Sequence, residues 1–154
     1  MTIYTVAVDQ TTNTHHEYED KQYANCEIIP DGEDFILKVG FSNGKRLDGD
    51  HFSCVAVFKA EDDTAVAAAS YKCGINATFF GKTEEKHFDS RMDLLPKQRA
   101  SVVKADIYFE RPNNRDDAAI WKAIGEAAKK IYEVFFKTAP KDDGFHGAQG
   151  GRGL

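Results

Sequence analysis

Three consecutive segments between residues 71 and 110 alternate between apolar and polar residues, and they constrain the fold more than any other feature. The segments are Tyr71 to Phe80, Lys86 to Leu95 and Val102 to Glu110. Strict alternation is typical of half-buried β-strands. A polar turn, Gly81 to Glu84, separates the first two segments and indicates a hairpin. The pattern predicts three adjacent strands of an antiparallel sheet with one apolar and one polar face.

An amphipathic helix is predicted directly after these strands, from Asp116 to Lys137. Apolar residues recur at helical spacing along one side of it, and charged residues occupy the other side. One helix cannot cover a whole sheet face, so we expect a second subunit to complete the core. The expected dimer interface consists of Ile120, Trp121, Ile124, Ile131 and Phe135.

The first half of the chain also favours strands. Asp9 to Lys21 is predicted to be a polar loop, and the Asn43-Gly44 pair predicts a tight hairpin. The Ala-rich stretch Thr64 to Ser70 fits either helix or strand, and we predict strand because it runs directly into Tyr71. The other predicted strands are Ile3 to Val8, Tyr23 to Ile29, Phe35 to Phe41 and Phe52 to Phe58.

The length of 154 residues predicts a single domain, residues 1–140, followed by a flexible Gly-rich tail, residues 141–154. A net charge of -5 does not suggest a general nucleic-acid binder, although a local basic face can sit on an acidic body. The N-terminus lacks the features of a signal peptide, and no window is apolar enough for a membrane span. We therefore expect an unprocessed cytoplasmic chain without membrane contact.

Three cysteines, Cys26, Cys54 and Cys73, each fall in a strand-like run. A free thiol in such a position behaves as a small apolar side chain, so reduced, buried thiols are expected. The alternative is a bridge, possibly one between subunits.

No strong catalytic or metal-binding motif is present. In His15-His16-Glu17 adjacent side chains would point in opposite directions, which favours a solvated loop over a metal site. The best acid–base candidate is His87 with Asp89, two positions apart on one strand face, but no lid or oxyanion donor accompanies it. We expect no enzymatic activity, no metal and no cofactor.

The polar face of the three predicted strands has two interpretations. It is either a simple solvated surface or a flat platform for phosphates and splayed single-stranded bases. Acidic residues on the same face argue against tight general binding and would confine a nucleic acid to one location. The predicted RNA-binding residues are Lys72, Asn76, Thr78, His87, Arg91, Lys104 and Tyr108.

The order of elements over residues 71–137 resembles the coat proteins of single-stranded RNA bacteriophages. Tyr71 to Ala77 is similar to the first RNA-facing strand of that family, and Lys86 to Pro96 is similar to the second. Val103 to Pro112 is similar to the last strand, and Asp116 to Lys137 to the helix that follows it.

This resemblance implies an α+β fold, in which an N-terminal hairpin and an antiparallel meander precede a C-terminal helix that crosses onto a partner. It implies dimers that assemble into an icosahedral shell in the cytoplasm of a bacterial host. In the virion the inner sheet face would bind genomic RNA, including one RNA hairpin.

Two other functions remain open on the sequence. The first is a cytosolic, non-enzymatic binding module, chaperone-like or a phage-encoded inhibitor, with a sheet and one packing helix. The second is a small enzyme or ligand carrier with a pocket between helix and sheet.

Overall fold

A computed structural model describes residues 2–44, 50–75, 83–110, 117–131 and 133 of the chain. Within these ranges, eight strands form two four-stranded antiparallel sheets, and two helices accompany them. The strands are β1 (Thr2–Ala7), β2 (Thr12–Glu19), β3 (Gln22–Asp31), β4 (Asp34–Asn43), β5 (Asp50–Lys59), β6 (Ala65–Ile75), β7 (Glu84–Arg91) and β8 (Lys104–Glu110). The helices are α1 (Pro96–Ser101) and α2 (Asp117–Ile131).

The two sheets pack face to face as a β-sandwich. Sheet A has the strand order β1-β8-β5-β6, and sheet B has the order β2-β3-β4-β7. Aromatic pairs join the sheets: Phe35 packs on Phe58 with ring centroids 5.0 Å apart, and Phe41 packs on Phe52 at 6.1 Å. The core therefore lies between the sheets and takes one side of each strand, as face-to-face packing requires.

Sequence alternation explains β4 and β3 directly. In β4 the inward residues Phe35, Leu37, Val39 and Phe41 are all buried, and the residues between them are half-buried or exposed. In β3 the same holds for every second residue, from Gln22 to Ile28. One face of sheet B is thus buried and the other is open to solvent.

Sheet A is instead covered on both faces at its centre. Residues 52–58 of β5 are all buried, because sheet B lies on one side and α2 on the other. Ala127 and Ile131 of α2 pack on Val55, Val57, Ala65 and Ala68. The small side chains of β6 allow the helix to approach closely, which explains why the Ala-rich stretch lacks alternation.

The helix contact gives Ile131 an intramolecular partner. Ile131 is 0% exposed against its own sheet. The side chains of Ile120, Trp121, Ile124 and Phe135 lie outside the described residues. Dimerisation through this stripe stays a prediction.

The coarse fold prediction, an antiparallel α+β chain with an amphipathic helix after the strands, is confirmed. The predicted strands around Tyr4, Cys26, Val39 and Val55 are present, and Thr64 to Ser70 does lead into one continuous strand, β6. The hairpin near the N-terminus is formed by β2 and β3 and not by the first two predicted strands, because the first of these, β1, pairs with β8 at the far end of the chain.

The prediction of three adjacent strands is wrong. β6 and β8 both flank β5 in sheet A, while β7 pairs with β4 in sheet B. Alternation identifies which residues of a strand face the core, but it carries no information on which strand lies alongside. The prediction treats chain neighbours as sheet neighbours, whereas the chain changes sheet twice between β6 and β8.

Two local predictions are also wrong. Asp9 to Lys21 contains strand β2, whose inward positions Thr14, His16 and Tyr18 are polar or amphipathic and so hide the alternation. The Asn43-Gly44 pair does not form a hairpin between β4 and β5, because these strands belong to different sheets. Residues 45–49 lie outside the described part.

Among the described helices, neither combines the length and the apolar character needed to cross a membrane.

Candidate functional site

The open outer face of sheet B carries the most complete set of polar groups. Inward burial of Ala24, Cys26, Val39 and Phe41 turns the residues between them outward, since successive side chains alternate. The outward set near the centre of the sheet is His15, Tyr23, Asn25, Glu27, Lys38, Gly40, Ser42, Glu85, His87 and Asp89. Of these residues, the sequence pattern singled out His15, His87 and Asp89; a glycine inside a strand is the signal that could have indicated the rest.

Strand register arranges this face into rows. His15, Asn25, Gly40 and His87 lie side by side across β2, β3, β4 and β7. The neighbouring row on one side consists of Glu27, Lys38 and Asp89, and the neighbouring row on the other side consists of Tyr23, Ser42 and Glu85. Neighbouring strands are about 4.8 Å apart, so each row offers polar groups at regular intervals.

Gly40 leaves room for the ring of His87 at the centre of this face. A Cβ atom at Gly40 would lie 3.0 Å from Nδ1 of His87, so the imidazole ring leans over the glycine. A cleft of about 210 Å³ lies towards Lys38 and Asp89, and a second of about 190 Å³ lies towards Tyr23 and Ser42. Asn25, Gly40 and His87 line both clefts. We call these two clefts and their shared residues the Gly40 groove.

Aromatic and charged groups border the Gly40 groove. The ring of His15 stacks on Tyr23 with centroids 5.4 Å apart and planes 27° apart. Nε2 of His87 lies 3.7 Å from a carboxylate oxygen of Glu85. Glu27 and Asp89 flank Lys38 in the strand register. The border is therefore rich in carboxylates, with flat rings beside them.

The predicted RNA platform is divided between opposite sides of the sandwich. Lys72, Lys104 and Tyr108 belong to sheet A, whereas His87 and Arg91 belong to β7 in sheet B. The inward neighbours of both groups, such as Ile107 and Phe88, pack into the shared core, so the two outward sets face away from each other. Asn76 and Thr78 lie outside the described residues. The five described residues therefore do not form one surface.

Two cations of that platform, Lys104 and Arg91, are also engaged by carboxylates. Lys104 forms an ion pair with Asp63, and this contact lowers the pKa of Asp63. Arg91 pairs with Asp31 and lies 3.6 Å from Asp34, and the hydrogen bond to Asp31 raises the pKa of Arg91. A phosphate would have to compete with these partners.

A third cleft, of about 420 Å³, lies between α2 and the outer face of sheet A. Tyr108 lines it, and burial raises the pKa of that phenol. Its walls carry both signs of charge, from Lys59, Asp62, Asp63, Glu126 and Lys130. This is the position at which the ligand-carrier interpretation expected a pocket.

A cluster of rings surrounds His16 where β1 and β2 meet. Nδ1 of His16 lies 3.0 Å from the hydroxyl oxygen of Tyr4, and its ring stacks on Phe109 at 5.1 Å. Burial lowers the pKa of His16, and the nearby carboxylate of Glu110 opposes that shift. The folded chain therefore holds the neutral imidazole more readily than the unfolded chain does.

His16 gives a predicted pH dependence. Because its pKa is lowered on folding, its contribution to stability is complete above the unfolded value, about 6.5, and is lost as the pH falls through the folded pKa. When the pH is lowered from about 7.5 to about 5.5, we expect the free energy of unfolding to fall less for His16→Gln than for the wild type. Urea unfolding at both pH values measures this. The matched control is His87→Gln, at an exposed site; equal losses in wild type and His16→Gln would contradict the prediction.

His15 and His16 point in opposite directions, as expected, but they do so on a strand rather than in a loop. His15 is exposed and His16 is half-buried. Within the described ranges, no group of three or more His, Cys, Asp or Glu side chains is placed to hold a metal ion.

No family model matches the chain, and no curated protein matches it. Among solved structures, the chain is similar to the enzymatically active domain of tailspike protein 4 of bacteriophage CBA120, with 15% sequence identity and a TM-score of 0.22. The match covers 71% of this chain and only 17% of that chain. A TM-score this low carries no argument about fold or function.

Proposed function

We propose that the protein is a non-enzymatic binding module whose Gly40 groove takes a neutral, hydroxyl-rich ligand, a glycan. The observation that carries this proposal is the pair of clefts on the outer face of sheet B, which share Asn25, Gly40 and the ring of His87 that lies over the glycine. A glycine in the middle of a strand weakens the strand, and it often marks a site where another molecule approaches the backbone closely.

The chemistry of the border supports a glycan. The apolar faces of Tyr23 and His15 suit the CH face of a sugar ring, and their polar atoms remain available at the edge. Hydroxyl groups both donate and accept hydrogen bonds. Asn25 and Ser42 also do both, while Lys38 donates and Asp89 accepts. A ligand with several hydroxyl groups can satisfy this mixture.

The charge of the face favours a neutral ligand over a polyanion. Glu27, Glu85 and Asp89 lie along the clefts together with Lys38. Phosphates of a nucleic acid would meet more negative than positive groups here, and nucleic-acid affinity depends on neutralising phosphates. The expectation of an RNA-binding, shell-forming coat protein stays a prediction for this chain, with outer-face lysines of sheet A as its remaining contacts.

The test is a glycan array of neutral oligosaccharides, followed by titration of the strongest binder. Gly40→Val places a branched side chain into both clefts and under His87, so we expect at least about a tenfold loss of affinity, equivalent to about 1.4 kcal/mol. Tyr23→Ala removes the stacking surface and should cause a similar loss. Both variants should keep the melting temperature of a folded sandwich within a few degrees.

The matched control is Lys72→Ala, on the outer side of sheet A, which should bind the glycan as the wild type does. A single-stranded RNA hairpin is titrated in parallel. No glycan binding, or glycan binding unchanged by Gly40→Val, would contradict the proposal. RNA binding that is lost in Lys72→Ala and kept in Gly40→Val would favour the coat-like function instead.

A further inference from the structure

Two cysteines occupy the centre of the sandwich, one in each sheet. Cys26 lies in β3 of sheet B and Cys54 in β5 of sheet A, and both are 0% exposed. Neither residue lies in the Gly40 groove or contributes to its lining.

Ring contacts fix how the two sheets lie over each other near these cysteines. Phe41 packs on Phe52, and Phe35 packs on Phe58, so β4 and β5 run in opposite directions across the core. The inward positions between these contacts therefore face each other, and they place Cys54 opposite the middle of β4.

Strand register then brings Cys26 to the same place. Cys26 pairs with Val39, an inward residue in the middle of β4. Cys54 lies two residues after Phe52, on the inward side of β5. The side chain of Cys26 also acts directly on that of Cys54 and contributes, after burial, to raising its pKa. A disulfide needs two Cβ atoms a few ångströms apart with suitable directions, and two inward cysteines that face each other in packed sheets are the pair of this core best placed to reach that geometry.

We propose that Cys26 and Cys54 form a disulfide between the two sheets when the chain folds in the presence of a disulfide oxidant such as oxidised glutathione. A thiolate of one cysteine attacks a sulfur of oxidised glutathione, which releases one glutathione thiolate. The second cysteine attacks the resulting mixed disulfide and releases the other. Two protein thiols are oxidised to one disulfide, and one glutathione disulfide is reduced to two thiols that take up the two protons.

Folding is the stage at which this reaction has access to both sulfurs. The thiolate is the attacking species, and burial raises the pKa of Cys54 well above its usual value in the folded chain. An oxidant also cannot reach a side chain with no exposed surface. During folding both thiols are solvated, and packing of the sheets then brings them together.

Cys73 provides an internal comparison. It lies in β6, at the edge of sheet A, and is half-buried. Burial raises its pKa to about 11, so it too is a weak nucleophile in the folded chain. Its register partner in β5 is Phe52 and not a cysteine.

The experiment refolds the full chain from urea in a buffer of oxidised and reduced glutathione, alkylates the remaining thiols and maps the peptides by mass spectrometry. Both wild type and Cys73→Ser are used. We expect a peptide linking Cys26 to Cys54 in both proteins, with a mass about 2 Da below that of the two thiol peptides, and an alkylated Cys73 in the wild type. The oxidised protein should unfold at a higher urea concentration than the same protein after reduction.

Two outcomes would overturn the inference. The first is refolded Cys73→Ser protein in which Cys26 and Cys54 are alkylated or carry glutathione. The second is a linked protein with a lower urea midpoint than its reduced form, because the bond would then distort the sandwich instead of fitting it. Cys26→Ala and Cys54→Ala, refolded in parallel, show whether any linked peptide in the wild type depends on this pair.

Discussion

Replacing Phe58 with alanine is expected to lower the free energy of unfolding by about 3–5 kcal/mol. The Phe58 side chain is 0% exposed and packs on Phe35 of the opposite sheet with centroids 5.0 Å apart. Truncation removes this ring from the centre of the core and leaves a cavity, which well-packed strands close only in part. Urea denaturation followed by tryptophan fluorescence or circular dichroism measures the loss.

The control for this variant is Val103→Ala, at a side chain that is 39% exposed, where a change within about 0.5 kcal/mol is expected. A double-mutant cycle with Phe35→Ala tests the contact between the sheets, and a coupling energy of about 0.5–1.5 kcal/mol is expected. A loss below about 1 kcal/mol for Phe58→Ala, or no coupling to Phe35, would mean that these two strands do not face each other.

The second large effect is expected for Ile131→Ala, which should destabilise the protein by about 2–5 kcal/mol. Ile131 is fully buried against Val55, Val57 and Ala68 of its own chain. Because the contact is intramolecular, the loss should be independent of protein concentration. Urea unfolding at protein concentrations that differ about a hundredfold measures this dependence, since the stability of an obligate dimer changes with concentration.

Lys129→Ala is the matched control for Ile131→Ala, because Lys129 lies on the exposed side of the same helix turn. We expect no more than about 0.5 kcal/mol from it. A wild-type midpoint that rises with concentration, with Ile131→Ala abolishing that rise, would instead place Ile131 at a subunit interface as the sequence pattern suggested. The intramolecular position and the subunit-interface position of Ile131 therefore predict different dependence of stability on protein concentration, and not only different losses of stability.

The outer faces of the two sheets differ in how they are covered. The core packs against only one face of sheet B, which leaves the outer face and the Gly40 groove exposed. Sheet A is covered by α2 on its outer side near Val57. Sites built on strands hold their side chains more precisely than sites on loops, which is why a strand-built groove suits the binding site proposed above.

Much of the secondary structure could be predicted from the sequence. Alternation in Phe35 to Phe41 identified the inward face of β4 without error, since a half-buried strand must place its apolar residues on one side. Strand β2 was missed because Thr14 and His16 occupy inward positions, where polar groups are compensated by local contacts such as that of His16 with Tyr4. That compensation comes from β1, which belongs to the other sheet.

The candidate site was predicted only in part. His87 was identified as an outward residue of a polar strand, and it does border the Gly40 groove. Asn25 and Lys38 were not identified, because they come from strands that are far from His87 in the chain and adjacent to it only through β4. A site assembled by strand register has no local sequence signature.

The buried side of most strands and the helix that follows them could be predicted from the chain alone, because burial and periodicity are local properties. The pairing of β7 with β4, and the position of β5 between β6 and β8, became apparent in the folded arrangement of the two sheets. Strand pairing depends on hydrogen bonds between backbone groups that are alike in every residue. The choice of partner therefore follows from the packing of two whole sheets, through contacts such as that of Phe35 with Phe58, and not from any single segment.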